Sequence, residues 1–177
     1  MTDEARVKYI LTTYTARTTV PLTDASLPLG TFPASGEGLT HHTIHYKKDS
    51  IMQRKIHTQN APAAIGPYSQ AIVCKGMLYA SGQIPIDPAS GKIESDDIIE
   101  QTHQVMKNIG EVLKAVKLDY KDVVKTTVFL TDLDDFATVN EIYGGYFAEP
   151  YPARSCVQVA KLPRGAKIEI EVIAYIG

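Results

Sequence analysis

Hydrophobic and polar positions fall into regular periods only after about residue 51 of this chain. Two short apolar runs, Ala71–Cys74 and Met77–Ser81, flank Lys75-Gly76 and predict a hairpin, because Gly accepts positive φ in a two-residue loop. Gly82 to Gly91 holds two prolines and two glycines and reads as a loop. Ser95-Asp96-Asp97 supplies helix N-cap residues. Beyond them Met106, Ile109, Leu113 and Val116 recur at helical spacing and predict one apolar stripe. Val123–Leu130 alternates, with Val124, Thr126, Val128 and Leu130 on one face and Lys125, Thr127 and Phe129 on the other. Asp134 or Asp135 opens a second helix whose stripe is Phe136, Val139, Tyr143 and Tyr146, and Pro150 and Pro152 end it. Ala153–Val159 is a strand, Pro163-Arg164-Gly165 a turn, and Lys167–Tyr175 the last strand.

The predicted order is β-β-α-β-α-β-β, an α+β domain. Right-handed crossovers place both helices on one face of a mixed sheet. No further element is left to cover the other face. Ile168, Ile170 and Val172 give the last strand an apolar side, and we expect the uncovered face to pack against other copies of the chain.

Residues 1–51 are rich in Thr, Pro and Gly and sustain neither period, so they are expected to form a poorly ordered leader to a domain spanning 52–177. Met52 could itself be an initiator, the leader then being non-native. Asp3 and Glu4 sit where a secretory signal needs positive charge, and the acids and the Pro/Gly-rich stretch weaken a transit peptide. His41, His42 and His45 lie in the leader without a Cys, Asp or Glu close enough to complete a metal set.

Composition narrows the field. A formal net charge of −2 leaves no electrostatic footprint for nucleic acid, and no apolar run approaches a membrane span. Cys74 and Cys156 make no framework of spaced pairs, which suits a reduced compartment: the cytoplasm, or the mitochondrion in a eukaryote. After Met52 there is no phosphate loop, dinucleotide fingerprint or metal set, and His57 and His103 are isolated. Arg154, Cys156 and Gln158 project to one side of a strand. A guanidinium matches a carboxylate with two parallel hydrogen bonds. Glu169 and Glu171 share one parity on the last strand, and one of them could point into a cleft near Arg154, where an acid orients a water or shuttles a proton. A nucleophilic role for Cys156 lacks a poised base.

Five segments then carry a resemblance: Asn60–Gln70 (NAPAAIGPYSQ), Ser81–Pro85 (SGQIP), Phe136–Tyr143 (FATVNEIY), Pro152–Cys156 (PARSC) and Lys167–Glu171 (KIEIE). Residues 52–177 resemble the reactive intermediate deaminases, also called the YjgF or L-PSP endoribonuclease family. The resemblance implies a chorismate-mutase-like fold and a homotrimer with sites between subunits. It implies hydrolysis of 2-imino and 2-enamino acids, such as 2-iminobutanoate and 2-iminopropanoate, to 2-keto acids and ammonia, with no metal or organic cofactor. Pyridoxal-phosphate dehydratases would supply those substrates. By the resemblance Arg154 binds the substrate carboxylate, Glu169 positions the water, and the Cys156 backbone N–H also touches the carboxylate. Tyr68, Ser81, Gly82, Phe136 and Asn140 match the remaining pocket positions. Two competing readings are a ribonuclease or translation inhibitor, which should show a His pair or a basic aromatic groove, and a non-catalytic regulator binding small carboxylates.

Overall fold

A computed structural model describes residues 53–177; the leader, with its three histidines, lies outside them. The elements are β1 (Gln53–Ile56), β2 (Ala71–Cys74), β3 (Met77–Gln83), α1 (Ile98–Lys114), β4 (Val123–Leu130), α2 (Phe136–Tyr146), β5 (Ala153–Gln158) and β6 (Ile168–Tyr175). They form an α+β domain built on one mixed six-stranded sheet of order β1-β2-β3-β6-β4-β5. β1 is a strand that the pattern did not predict. Three of its four residues are exposed and only Ile56 is buried, so no alternation marked it. It is held by antiparallel pairing to β2.

Local chemistry explains the punctuation. Lys75 and Gly76 both take positive φ (49° and 74°) and close the β2–β3 hairpin as a two-residue loop. The Asp97 carboxylate accepts from the Ile99 N–H at 2.7 Å and caps α1. Asp135 occupies the N-cap position of α2 without a side-chain bond. Asp132 instead caps the short 3₁₀ turn Leu133–Asp135 just before it.

Both helices pack on one sheet face. Val105, Met106, Ile109, Val112 and Leu113 of α1 and Val139 and Tyr143 of α2 form one buried cluster with Leu78, Val128, Leu130, Ile168, Ile170 and Val172. Each fully buried aliphatic there contributes about 1.5–3 kcal/mol of transfer free energy. This corrects one expectation. Ile168, Ile170 and Val172 are not on the uncovered face; they are the floor under the helices. β6 is a central strand between β3 and β4, so its apolar side is taken within the chain. The open face carries Tyr79, Ile173, Tyr175, Phe129, Val157, Glu169 and Glu171 instead, and Tyr79, Tyr175 and Val157 remain largely exposed. β4 departs from strict alternation as well. Its register on β6 shifts between Val123 and Lys125, which buries Val123 and leaves Val124 45% exposed. Such a bulge moves one residue to the other face.

Candidate active site

Two clefts hold six of the eight residues expected to form the site, and they lie on opposite faces of the sheet. β5 runs parallel to β4, with Arg154 beside Thr126 and Cys156 beside Val128. Thr126 and Val128 are buried under the helices, so Arg154 and Cys156 share that side. Arg154 reaches up the edge of α2. Its guanidinium carbon lies 4.8 Å from the Tyr143 ring centre and 5.5 Å from that of Phe136. Aromatic faces hold a cation without neutralising it. Tyr143 is itself fixed by a 2.9 Å hydrogen bond with the Thr126 hydroxyl, and burial pushes its phenol pKa up, so it stays neutral. Asn140, Tyr143, Gly144, Tyr151, Pro152 and Arg154 line a cleft of about 420 Å³. Among the described residues the single salt bridge joins Lys114 to Glu111, so Arg154 has no carboxylate partner there.

The second cleft, about 300 Å³, is lined by Ile65, Tyr68, Ser81, Gly82, Ile84, Pro163 and Glu169. Glu169 pairs with Phe129 on β4, an odd number of positions from Thr126, and therefore points to the helix-free face. Burial, and secondarily the neighbouring Glu171, pushes its carboxyl above the ordinary glutamate range. A carboxyl so shifted exchanges a proton nearer neutrality. Among the described residues no cation lines this cleft. Ser81 and Gly82 sit in a register shift between β3 and β6. A Cβ built on Gly82 would lie 1.8 Å from Glu169 Oε1, so the glutamate can lie flat only because position 82 is glycine. The Ser81 hydroxyl donates to the Ser69 carbonyl at 2.7 Å, which ties the Tyr68 loop to β3.

The expected pocket residues thus separate cleanly. The structure brings Arg154 together with Asn140, Phe136 and Cys156, and Glu169 together with Tyr68, Ser81 and Gly82. It does not bring either glutamate of β6 to Arg154 within one chain, because the two strands present them to opposite faces. Each cleft holds one of the two ionisable groups that the resemblance singles out, Arg154 in one and Glu169 in the other.

Residues 58–176 match the family model described as endoribonuclease L-PSP. The chain belongs to that family. It is 52% identical over 128 residues to the mouse 2-iminobutanoate/2-iminopropanoate deaminase, an alignment covering 72% of this chain and 95% of the mouse protein. It is 45% identical over 172 residues to the chloroplastic Reactive Intermediate Deaminase A of Arabidopsis thaliana, covering 94% of this chain and 92% of the relative. The crystal structure of E. coli TdcF with bound serine superposes with a TM-score of 0.66 at 46% identity, over 70% of this chain and 99% of that one.

Cys156 is half-buried, and burial pushes its thiol pKa up more than Arg154 lowers it. The thiol form therefore dominates, which argues against a nucleophile. Sequence reasoning missed a set of buried amides behind the second cleft. Asn108 donates to the carbonyls of Ile84 (3.1 Å) and Ile86 (2.9 Å), and Gln101 accepts from the Lys167 N–H at 2.8 Å, just ahead of Glu169. Their only trace in the sequence is their position on the stripe side of α1. Among the described residues no group of His, Cys, Asp and Glu is arranged to hold a metal ion, and no helix is long and apolar enough to cross a membrane.

Proposed function

We propose that the chain hydrolyses 2-imino and 2-enamino acids to 2-keto acids and ammonia in a site assembled between copies, most simply of a homotrimer. One observation carries this reading: a guanidinium with no carboxylate partner among the described residues and a carboxyl with a raised pKa occupy two half-clefts on opposite faces of one sheet. Arg154 holds the substrate carboxylate with its planar fork, helped by Asn140 and by the Cys156 backbone N–H. Glu169 comes from the adjoining copy. It takes a proton from water as the oxygen bonds to the imine carbon and returns it to nitrogen; the C–N bond then breaks as the new hydroxyl gives its remaining proton to the Glu169 carboxylate, the C=O forms and ammonia leaves. A protonated imine is already electrophilic, so orientation and local charge suffice. The identity to named deaminases supports the activity, and the serine-bound relative supports a small amino or keto acid as the ligand. The exposed Tyr79, Tyr175 and Val157 support burial of the open face. The substrates are those released by pyridoxal-phosphate dehydratases.

The site of action is the cytoplasm or an organelle matrix. The chloroplastic relative favours the organelle, since its alignment takes in most of the residues before Met52. On that reading residues 1–51 serve as an address and the domain works without them.

Subunit complementation tests the shared site. Arg154→Ala and Glu169→Gln homo-oligomers should each retain only a trace of turnover. Co-refolded in equal amounts they should regain about a quarter of wild-type turnover, because about one interface in four then pairs an intact Arg154 with an intact Glu169. No recovery on mixing would place both groups in one chain's site and end the proposal.

A further inference from the structure

The segment between β1 and β2 presents Ile65 and Tyr68 to the Glu169 cleft, yet apart from the buried Ala61 and the Ser81 bond to the Ser69 carbonyl it has little to hold it there. It contains no helix or strand, and Ile65 and Tyr68 are 60% and 48% exposed. Burial of these side chains therefore does not fix the loop. Its inner end is fixed by one residue that the chemistry does not use. Gln70 is 2% exposed and spends its whole amide on the loop. Its Nε2 donates to the carbonyls of Pro62 (2.8 Å), Thr58 (3.0 Å) and Ala61 (3.2 Å), and its Oε1 accepts from the Thr58 N–H at 2.8 Å. The Gln70 carbonyl accepts from the Ser81 N–H at 3.0 Å, which joins the clamp to the strand that carries Gly82.

We infer that Gln70 is a positioning residue: it holds the Thr58–Ser69 loop in the shape that sets the Tyr68–Ile65 wall against Glu169, and so controls substrate affinity. This rests on the active-site reading above. Only an amide suits the place, because three carbonyl oxygens need a donor and one N–H needs an acceptor. A carboxylate of the same shape would aim its lone pairs at three carbonyls, whereas a protonated carboxyl would keep one donor and the acceptor.

Gln70→Glu in the full chain therefore makes the loop pH-dependent. At pH 5 hydrogen exchange of peptides covering 57–69 should stay near wild type. At pH 8, after correction for intrinsic rates, it should quicken by about tenfold or more, the scale of losing a net buried hydrogen bond or two. Peptides from β4 and β6 should not change. The Kd for 2-ketobutyrate, a stable product probe, should rise by a similar factor between those pH values in the variant, beyond any change in wild type. Gln70→Met removes all four bonds without adding charge, and should loosen the loop and weaken 2-ketobutyrate equally at both pH values. Unchanged loop exchange in either variant, or faster exchange of β4 and β6 in step with the loop, would overturn the inference. Failure of the wild type to bind 2-ketobutyrate would remove the positioning role along with the active-site reading, and it is told apart from failure of the clamp by the exchange data.

Discussion

Gly82→Ala is the sharpest probe of the Glu169 cleft, because it adds one methyl group where the geometry has no room. The new Cβ would meet Glu169 Oε1 at 1.8 Å, Cδ at 2.7 Å and Cγ at 2.9 Å. Ordinary contact begins at 3.4 Å, so the oxygen must retreat by about 1.6 Å and the side chain must turn about its own bonds. The obstacle is a side chain rather than backbone, and the change leaves every backbone hydrogen-bonding group in place, so the fold should survive with a small shift in Tm. Catalysis should not survive intact. A misplacement of about 1 Å in a reacting group costs on the order of a hundredfold, so kcat should fall by about that factor or more. Binding of 2-ketobutyrate, which the proposal anchors on Arg154 in the other half-site, should change by less than about threefold, since ground-state and transition-state contacts separate in this way. The assay couples a dehydratase to imine decay for kcat and titrates the keto acid for Kd. A double variant supplies the control: if the added methyl acts only through the glutamate, Gly82→Ala on top of Glu169→Gln costs almost nothing further, because coupled residues are not additive. Wild-type kcat in Gly82→Ala, or full additivity in the double variant, would show that the added methyl does not act through Glu169.

Arg154→Lys keeps the charge and loses the planar fork and the stacking on Tyr143 and Phe136, so 2-ketobutyrate binding should weaken by roughly a hundredfold, nearly as much as in Arg154→Ala; titration of both variants checks it. If, as proposed, the ionised Glu169 carboxylate accepts the water's proton, turnover should be lost as pH falls through an apparent pKa above the ordinary 4.5 of glutamate, and the residual turnover of Glu169→Gln should lack that limb of the pH–kcat profile. Cys156→Ser should keep turnover within about threefold, since its backbone N–H is unchanged; a folded but dead variant in the imine-decay assay would point to thiol chemistry instead.

How far the site was legible depends on which relations a single strand can carry. Alternation along β5 placed Arg154, Cys156 and Gln158 on one side, and alternation along β6 set Glu169 with Glu171, because side chains repeat every second residue whatever the strand's neighbours. Helical spacing gave the α1 stripe, and cap and turn residues gave the hairpin and the start of α1, because these depend on φ preferences and on side chains a few positions away. Five short segments were distinctive enough to carry the family. None of this relates one strand's face to another's. That takes inter-strand register, in which Thr126 meets Arg154 and Phe129 meets Glu169, and it takes the central place of β6, which turned Ile168, Ile170 and Val172 into the floor under the helices. Gln70, Gln101 and Asn108 were equally silent, because a buried amide and an exposed one are spelled alike, and only the carbonyls brought to them by distant segments distinguish the two. Which residues are candidates for the chemistry, and roughly where all the elements but β1 run, are local properties and could be read along the chain. That the guanidinium and the carboxyl face opposite ways came only with the assembled sheet, since pairing between strands far apart in the chain is set by the packing of the whole domain.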